Sequence, residues 1–153
     1  MSSTSKTSQR RRSRELVLQG LYQRQLSGNT ARDVHADLTA SPGFPRSDQP
    51  YFDELWSGVG DEYDAIIAAL TPHLDRPPAQ LSPVEKAILI IGAWELSRRV
   101  EIPYRVVINE SVELAKSFGG TDGHRYVNGV LDRFAADVRA AEIAAGKRDV
   151  APG

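Results

Sequence analysis

Apolar residues recur along the chain at intervals of three and four, the spacing that places side chains on one face of an α-helix. The first stripe predicts a helix over residues 10–26 and consists of Val17, Leu18, Leu21, Tyr22 and Leu26. The segment 27–29 is expected to end this helix, and Thr30 to cap a short second one. Residues 41–50 contain three prolines and a glycine, which is typical of a surface loop.

A third helix is predicted to start near Gln49 or Pro50. Its apolar face continues over a long stripe, with Gly58 and Gly60 as a kink or break: Tyr51, Phe52, Leu55, Trp56, Val59, Ile66, Ile67 and Leu70. Residues 74–79 include two adjacent prolines. This segment is therefore the expected hinge between an N-terminal and a C-terminal half.

The clearest local signal is Ser82-Pro83-Val84-Glu85. Ser82 is the expected N-cap, Pro83 suits the first helical position, and Glu85 completes a capping box. The helix that follows, to about Arg99, is apolar on nearly every side. A helix of that kind is expected in the middle of a fold.

Two more helices follow. One starts after Ile102-Pro103 and ends at Gly119-Gly120, and the last is expected to be capped by Asp122 and to run to about Glu142. About six helices and no convincing strand predict an all-α bundle.

Composition excludes several classes of protein. Hydrophobic residues make up 41% and charged residues 25% of the 153 residues, which is ordinary for a folded protein. The absence of cysteine excludes disulfide scaffolds, thiolate metal sites and cysteine nucleophiles. The longest strongly apolar stretch, 87–93, is too short to cross a membrane, and no signal peptide is recognisable. We therefore expect a cytoplasmic protein.

Charge is distributed unevenly. Residues 1–32 contain seven Lys or Arg and one acid, whereas residues 33–75 contain one Arg and nine acids. This asymmetry favours a protein that meets a polyanion with one surface. The three histidines lie in separate segments, and neither a nucleophile elbow nor a P-loop is present. The sequence thus predicts no enzyme, no metal site and no cofactor.

Two basic–aromatic sites are candidates for binding nucleic acid. The arginine cluster (Arg10, Arg11, Arg12 and Arg14) leads into a helix that carries Tyr22 about two turns later. Arginine forks for phosphates beside aromatic stacking platforms suit single-stranded nucleic acid. The cluster could instead be a solvated tail, and Tyr22 a core residue.

The second site is Arg125-Tyr126, which follows the glycine-rich segment 119–124. Backbone N–H groups at a helix N-terminus bind anions readily. A glycine stop followed by an Asp cap explains the same residues structurally, so both interpretations stay open.

At these residues the chain resembles the NusB family of bacterial transcription antitermination factors. The matching segments cover about residues 10 to 140 in family order, and the densest lie at 95–106, 108–110, 113–119 and 124–132. The resemblance implies two small helical bundles packed together, with about six to seven helices in all. The expected boundaries are a disordered polar tail (1–9), an N-terminal bundle (10–76), a C-terminal bundle (77–142) and a frayed tail (143–153).

The resemblance also implies a function. Family members bind boxA RNA in nascent rRNA transcripts together with NusE, a small-subunit ribosomal protein. With other Nus factors they help RNA polymerase resist Rho-dependent termination. The implied RNA-binding residues are Arg10, Arg11, Arg12, Arg14, Tyr22, Arg125 and Tyr126.

The implied NusE-binding residues are Glu85, Lys86 and Ile90. Ile90 stands where the family often has Arg, and we expect it to be exposed on a docking face; the alternative is that it contacts the other bundle. The alternative function is a helical protein–protein adaptor without specific RNA binding.

Overall fold

The computed structural model describes residues 3–120 and 122–150, which form eight α-helices and no strand. The all-α prediction is therefore confirmed. Among these residues, no helix combines the length and the hydropathy needed to cross a bilayer. The helices are α1 (Ser3–Ser27), α2 (Ala31–Thr39), α3 (Gln49–Asp61), α4 (Tyr63–Leu70), α5 (Pro83–Arg98), α6 (Tyr104–Phe118), α7 (Gly123–Val138) and α8 (Ala140–Val150).

Side-chain caps start two helices where the sequence predicted them. The Thr30 hydroxyl accepts a hydrogen bond from a backbone N–H of α2 at 3.1 Å. The Ser82 hydroxyl accepts from the Glu85 N–H at 3.1 Å and donates to the Glu85 carboxylate at 2.8 Å. Asp122 precedes α7 as predicted, but its side chain accepts no hydrogen bond from the helix.

The chain ends are more helical than the sequence predicted. α1 begins at Ser3 instead of Arg10, and α8 covers most of the expected frayed tail. The first turns of α1 are tied to the start of α3, because the Asp48 N–H donates to the Gln9 carbonyl at 3.1 Å and the Ser13 hydroxyl donates to the Asp48 carbonyl at 2.7 Å. These partners lie about 35 residues apart, so no local pattern reveals them.

The break after α3 falls at Glu62 and not at Gly58 or Gly60. Gly58 instead permits a close approach between α3 and α5. A Cβ atom at this position would lie 2.2 Å from Cζ2 of Trp94, so no larger residue fits without displacing the indole. The Trp94 N–H donates to the Glu62 carboxylate at 3.0 Å, which also fixes the break.

α5 is the central helix. It packs against α1, α3 and α4 of the N-terminal half and against α6 and α7 of the C-terminal half, and every residue from 87 to 96 is buried. This confirms the prediction of a helix in the middle of the fold. It also shows that the expected exposure of Ile90 is wrong: its side chain is 0% exposed, because a helix surrounded on all sides has no free apolar face. The bundle boundaries at 76 and 77 stay a prediction.

Candidate nucleic-acid interface

Arg11 lies exposed on α1 and forms a two-point ion pair with α6. Its Nε lies 3.0 Å from Oε1 of Glu110, and its Nη2 lies 2.7 Å from Oε2. The hydrogen bond from Arg11 lowers the pKa of the Glu110 carboxyl. This fork geometry is the one with which arginine also holds a phosphate. Arg11 is thus positioned to exchange a carboxylate for a phosphate.

Arg10 and Arg12 flank Arg11 and are partly exposed. Arg12 pairs with Glu15 one turn along α1, at 2.9 Å. Arg10 Nε lies 3.6 Å from the Asp48 carboxylate, and its guanidinium lies 4.5 Å from the centre of the Tyr51 ring. The cluster is therefore held on a folded edge by carboxylates and an aromatic ring, and is not a solvated tail.

Arg14 does not belong to this surface. It is 4% exposed, its Nε lies 3.0 Å from both carboxylate oxygens of Glu95, and its Nη1 lies 3.5 Å from Glu110. The Tyr51 hydroxyl donates to the same Glu95 carboxylate. The prediction that Arg14 contacts a phosphate is wrong for this structure, because the side chain lies on the buried face of α1, one turn before Val17 and Leu18.

Tyr22 lies at the surface, 40% exposed, and the alternative of a core residue is excluded. It lines a groove of about 620 Å³ between α1, the start of α5 and the end of α6. The residues of this tyrosine groove are Leu18, Gln19, Tyr22, Gln23, Leu26, Ser27, Val84 and Phe118. Leu26 and Phe118 are also exposed, at 60% and 42%, so the groove offers apolar surface to a ligand.

The basic edge, formed by Arg10, Arg11 and Arg12, and the tyrosine groove are joined by side chains of α1 and α6 that meet along one line, the α1–α6 seam. Arg11 meets Glu110 at one point of this α1–α6 seam, and Tyr22 and Phe118 line the same groove further along both helices. Eleven residues of helix separate Arg11 from Tyr22, a rise of about 16 Å. The seam therefore presents cationic side chains at one end and aromatic side chains at the other.

The second predicted site is a separate shallow cleft beside the start of α7. Arg125 is exposed and Tyr126 is partly buried. The Tyr126 hydroxyl accepts a hydrogen bond from the Asp75 N–H at 3.4 Å, and the Arg76 guanidinium carbon lies 4.7 Å from the ring centre. This Tyr126 cleft, of about 520 Å³, is lined by Pro72, His73, Leu74, Asp75, Arg125, Tyr126, Gly129 and Arg133.

Sequence reasoning missed two residues: Arg133, which lines this cleft, and Arg76, which lies beside the cleft over the Tyr126 ring. Arg133 donates from Nη2 to the His73 carbonyl at 2.8 Å, which connects α7 to the segment that follows α4. Arg133 lies two turns after Arg125 on one helix, and that spacing was an available signal. The sequence contained no such signal for Arg76, because Arg76 and Tyr126 are far apart in the chain and meet only in the folded structure.

Glu85 lies between the two candidate sites. Its neighbour Val84 lines the tyrosine groove, and a Cβ atom at Gly123, the first residue of α7, would lie 3.7 Å from the Glu85 carboxylate. Lys86 points elsewhere, with its Nζ 6.0 Å from the ring centre of Tyr63 on α4. Glu85 is thus beside the candidate nucleic-acid surface, and Lys86 and the buried Ile90 are not.

These features define a small all-helical protein with a candidate surface for single-stranded nucleic acid. The family model described as "NusB family" matches residues 11–136, and the chain belongs to the NusB family.

Curated relatives agree over nearly the whole chain. The transcription antitermination protein NusB of Paraburkholderia phytofirmans is 52% identical over 141 residues, covering 92% of this chain and 98% of the relative. The protein of the same name from Ralstonia nicotianae is 56% identical over 138 residues, covering 90% and 89%.

Solved structures share the fold. T. maritima NusB superposes with a TM-score of 0.75 at 25% identity, covering 84% of this chain and 91% of that one. NusB in a crystal structure of antitermination factors NusB and NusE in complex with dsRNA gives a TM-score of 0.76 at 22% identity, covering 84% and 96%.

Proposed function

We propose that this chain is a non-enzymatic, RNA-binding transcription antitermination factor that acts in the cytoplasm. In this proposal it binds boxA RNA of nascent rRNA transcripts together with NusE. With other Nus factors it helps RNA polymerase resist Rho-dependent termination. Membership of the NusB family and the relatives named as antitermination proteins support this function, and the observation that carries it is the α1–α6 seam.

RNA binds along that seam. Arg10, Arg11 and Arg12 take phosphates at the basic end, and a base stacks on Tyr22 in the groove. A phosphate replaces the Glu110 carboxylate at Arg11, because both ligands accept the same two hydrogen bonds. Arg14 supports the surface from within by fixing α1 to α5.

The Tyr126 cleft extends the RNA surface, with Arg125 as an exposed cation. NusE is expected to bind next to it, around Glu85. Lys86 and Ile90, the other two residues implied by the family resemblance, act indirectly, since Ile90 is buried and Lys86 faces α4. They support the α5 backbone on which Glu85 stands.

Fluorescence titration with a boxA RNA, with and without NusE, tests the function. We expect binding that weakens steeply with salt and that strengthens when NusE is present, since partner and RNA bind adjacent surfaces. A scrambled RNA of equal length is the control. Binding of NusE without measurable RNA affinity, in either condition, would favour the protein–protein adaptor instead.

A further inference from the structure

We propose that Arg76 is a nucleotide-binding residue, whose guanidinium plane, supported by Tyr126, is the platform on which an RNA base stacks beside the Tyr126 cleft. This inference rests on the proposed function and deepens it. It assigns the stacking surface of the second site to a residue outside the predicted set.

Two neighbours fix the position of the Arg76 guanidinium. Its carbon lies 4.7 Å from the centre of the Tyr126 ring, so the ring covers one side. The Asp75 carboxylate accepts hydrogen bonds from Nε at 2.7 Å and from Nη2 at 3.1 Å along one edge. The Asp75 N–H donates to the Tyr126 hydroxyl at 3.4 Å, which ties the loop to the ring. The plane is thus oriented before any ligand arrives.

The side of the guanidinium away from Tyr126 is the one available to a base. The Arg76 side chain is 42% exposed in spite of its two neighbours. A base that approaches this face of the Tyr126 ring meets the Arg76 guanidinium first, because Arg76 lies over that face. Nucleobases stack on guanidinium planes as they do on aromatic rings, and such contacts tolerate any base.

The charges around the cleft indicate whether Arg76 would bind RNA by stacking or by electrostatic attraction. Asp75 neutralises Arg76, whose guanidinium in turn holds the pKa of the Asp75 carboxyl at about 2. Arg125 and Arg133 remain as exposed cations on α7. Arg76 therefore contributes a plane more than a net charge. Its loss should weaken binding with little change in salt dependence.

Substitutions of Arg76 test the platform by titration with boxA RNA at several salt concentrations. Arg76→Ala should weaken binding about five-fold or more, the lower range for one stacked base. Arg76→Lys should weaken it nearly as much, because an ammonium group retains the charge and lacks the plane. Arg32→Ala, which removes an exposed arginine of α2 that lines neither the tyrosine groove nor the Tyr126 cleft, should bind like the unsubstituted chain.

For Asp75→Ala, the two explanations predict opposite changes in RNA affinity. Removing a carboxylate next to a polyanion site should tighten binding if only charge matters. If Asp75 orients the platform, binding should weaken despite the more favourable charge. Melting temperatures of all four variants should stay near that of the unsubstituted chain, since the replaced side chains are exposed.

Each result has one meaning. Full affinity in Arg76→Lys, or unchanged or tighter binding in Asp75→Ala, would overturn the platform. If Arg76→Ala matched Arg32→Ala while Arg11→Ala still lost affinity, the platform would fail and the proposed function would stand. If the unsubstituted chain did not bind boxA RNA with NusE present, both would fail.

Discussion

The guanidinium of Arg14 and the carboxylate of Glu95 meet inside the protein, where Arg14 Nε lies 3.0 Å from both carboxylate oxygens. Arg14 is 4% and Glu95 0% exposed, so water screens neither charge. The pair ties α1, which carries the basic edge, to the central helix α5. An arginine in a basic cluster thus serves the fold while its neighbours face solvent.

Replacing Arg14 with Ala should therefore lower the free energy of unfolding. Breaking a buried ion pair leaves one uncompensated charge and costs about 3–5 kcal/mol. Urea denaturation of Arg14→Ala should show this loss, whereas Arg12→Ala, which removes a partly exposed arginine, should stay within about 0.5 kcal/mol. A normal unfolding midpoint in Arg14→Ala, together with a reduced salt dependence of RNA binding, would instead show that Arg14 contacts RNA.

The sequence specified much of this fold because its signals are local. Ser82 and Thr30 mark helix starts by their own hydrogen bonds, and the apolar run of α5 identifies the central helix. The break at Glu62 was missed because Glu62 is fixed by Trp94 and Arg98, more than 30 residues away. Local glycines were the only visible cue there.

The candidate site follows the same rule. Tyr22 and Arg11 were found because basic and aromatic residues stand near each other in the chain. Arg14 was misassigned because its partner, Glu95, lies 81 residues away. Ile90 was misassigned to an exposed docking face. The apolar pattern on all sides of α5 already predicted that it is buried, and that pattern was the stronger signal.

The salt dependence of RNA binding tests whether the basic edge contacts phosphates. Replacing Arg10, Arg11 and Arg12 together with Ala should lower the slope of log K against log salt by about 2, since each phosphate contact to a single strand contributes about 0.7. Binding of boxA RNA over a salt series measures this. The Arg32→Ala variant should keep the full slope. An unchanged slope in the triple variant would mean that these arginines contact no phosphate.

Glu110 should restrain RNA binding, because its carboxylate holds the Arg11 guanidinium in the free protein. Glu110→Gln removes the competing charge and should tighten RNA binding. Glu113→Gln is the matched control: it removes an exposed charge one turn away on α6 that forms an ion pair with Lys116, at 4.0 Å, and no hydrogen bond with Arg11 among the described residues. Equal affinity gains in both variants would indicate a general charge effect and would contradict a specific role for the Arg11–Glu110 pair.

Because Ile90 is buried, its replacement should affect stability, whereas replacement of Glu85 should affect NusE binding directly. Ile90→Ala should cost about 2–5 kcal/mol of unfolding free energy, as is typical for a large-to-small change in a core. Glu85→Lys should instead leave the fold intact and weaken the pull-down of NusE, because it reverses a charge at the proposed docking edge. If Ile90→Ala kept full stability and lost NusE, the residue would face the partner after all.

Tyr51 should make stability depend on alkaline pH. Burial raises the pKa of its phenol, and the nearby Glu95 carboxylate, which accepts the phenol proton in a hydrogen bond, raises it further. The folded protein therefore holds this proton more tightly than the unfolded chain does. For a raised pKa, the contribution to stability is complete below the ordinary value of about 10 and is lost as pH rises above it.

Tyr51→Phe removes that proton and should remove this part of the pH dependence. Melting temperatures at pH 8 and pH 10.5 should fall further apart in the unsubstituted chain than in Tyr51→Phe. At pH 8 the variant should already be less stable by about 1–3 kcal/mol, because Glu95 loses one hydrogen-bond donor while it stays buried. Tyr22→Phe, which removes a surface phenol, should behave like the unsubstituted chain at both values. An equal alkaline loss in Tyr51→Phe would show that other groups cause it and that the buried phenol contributes nothing to the pH dependence.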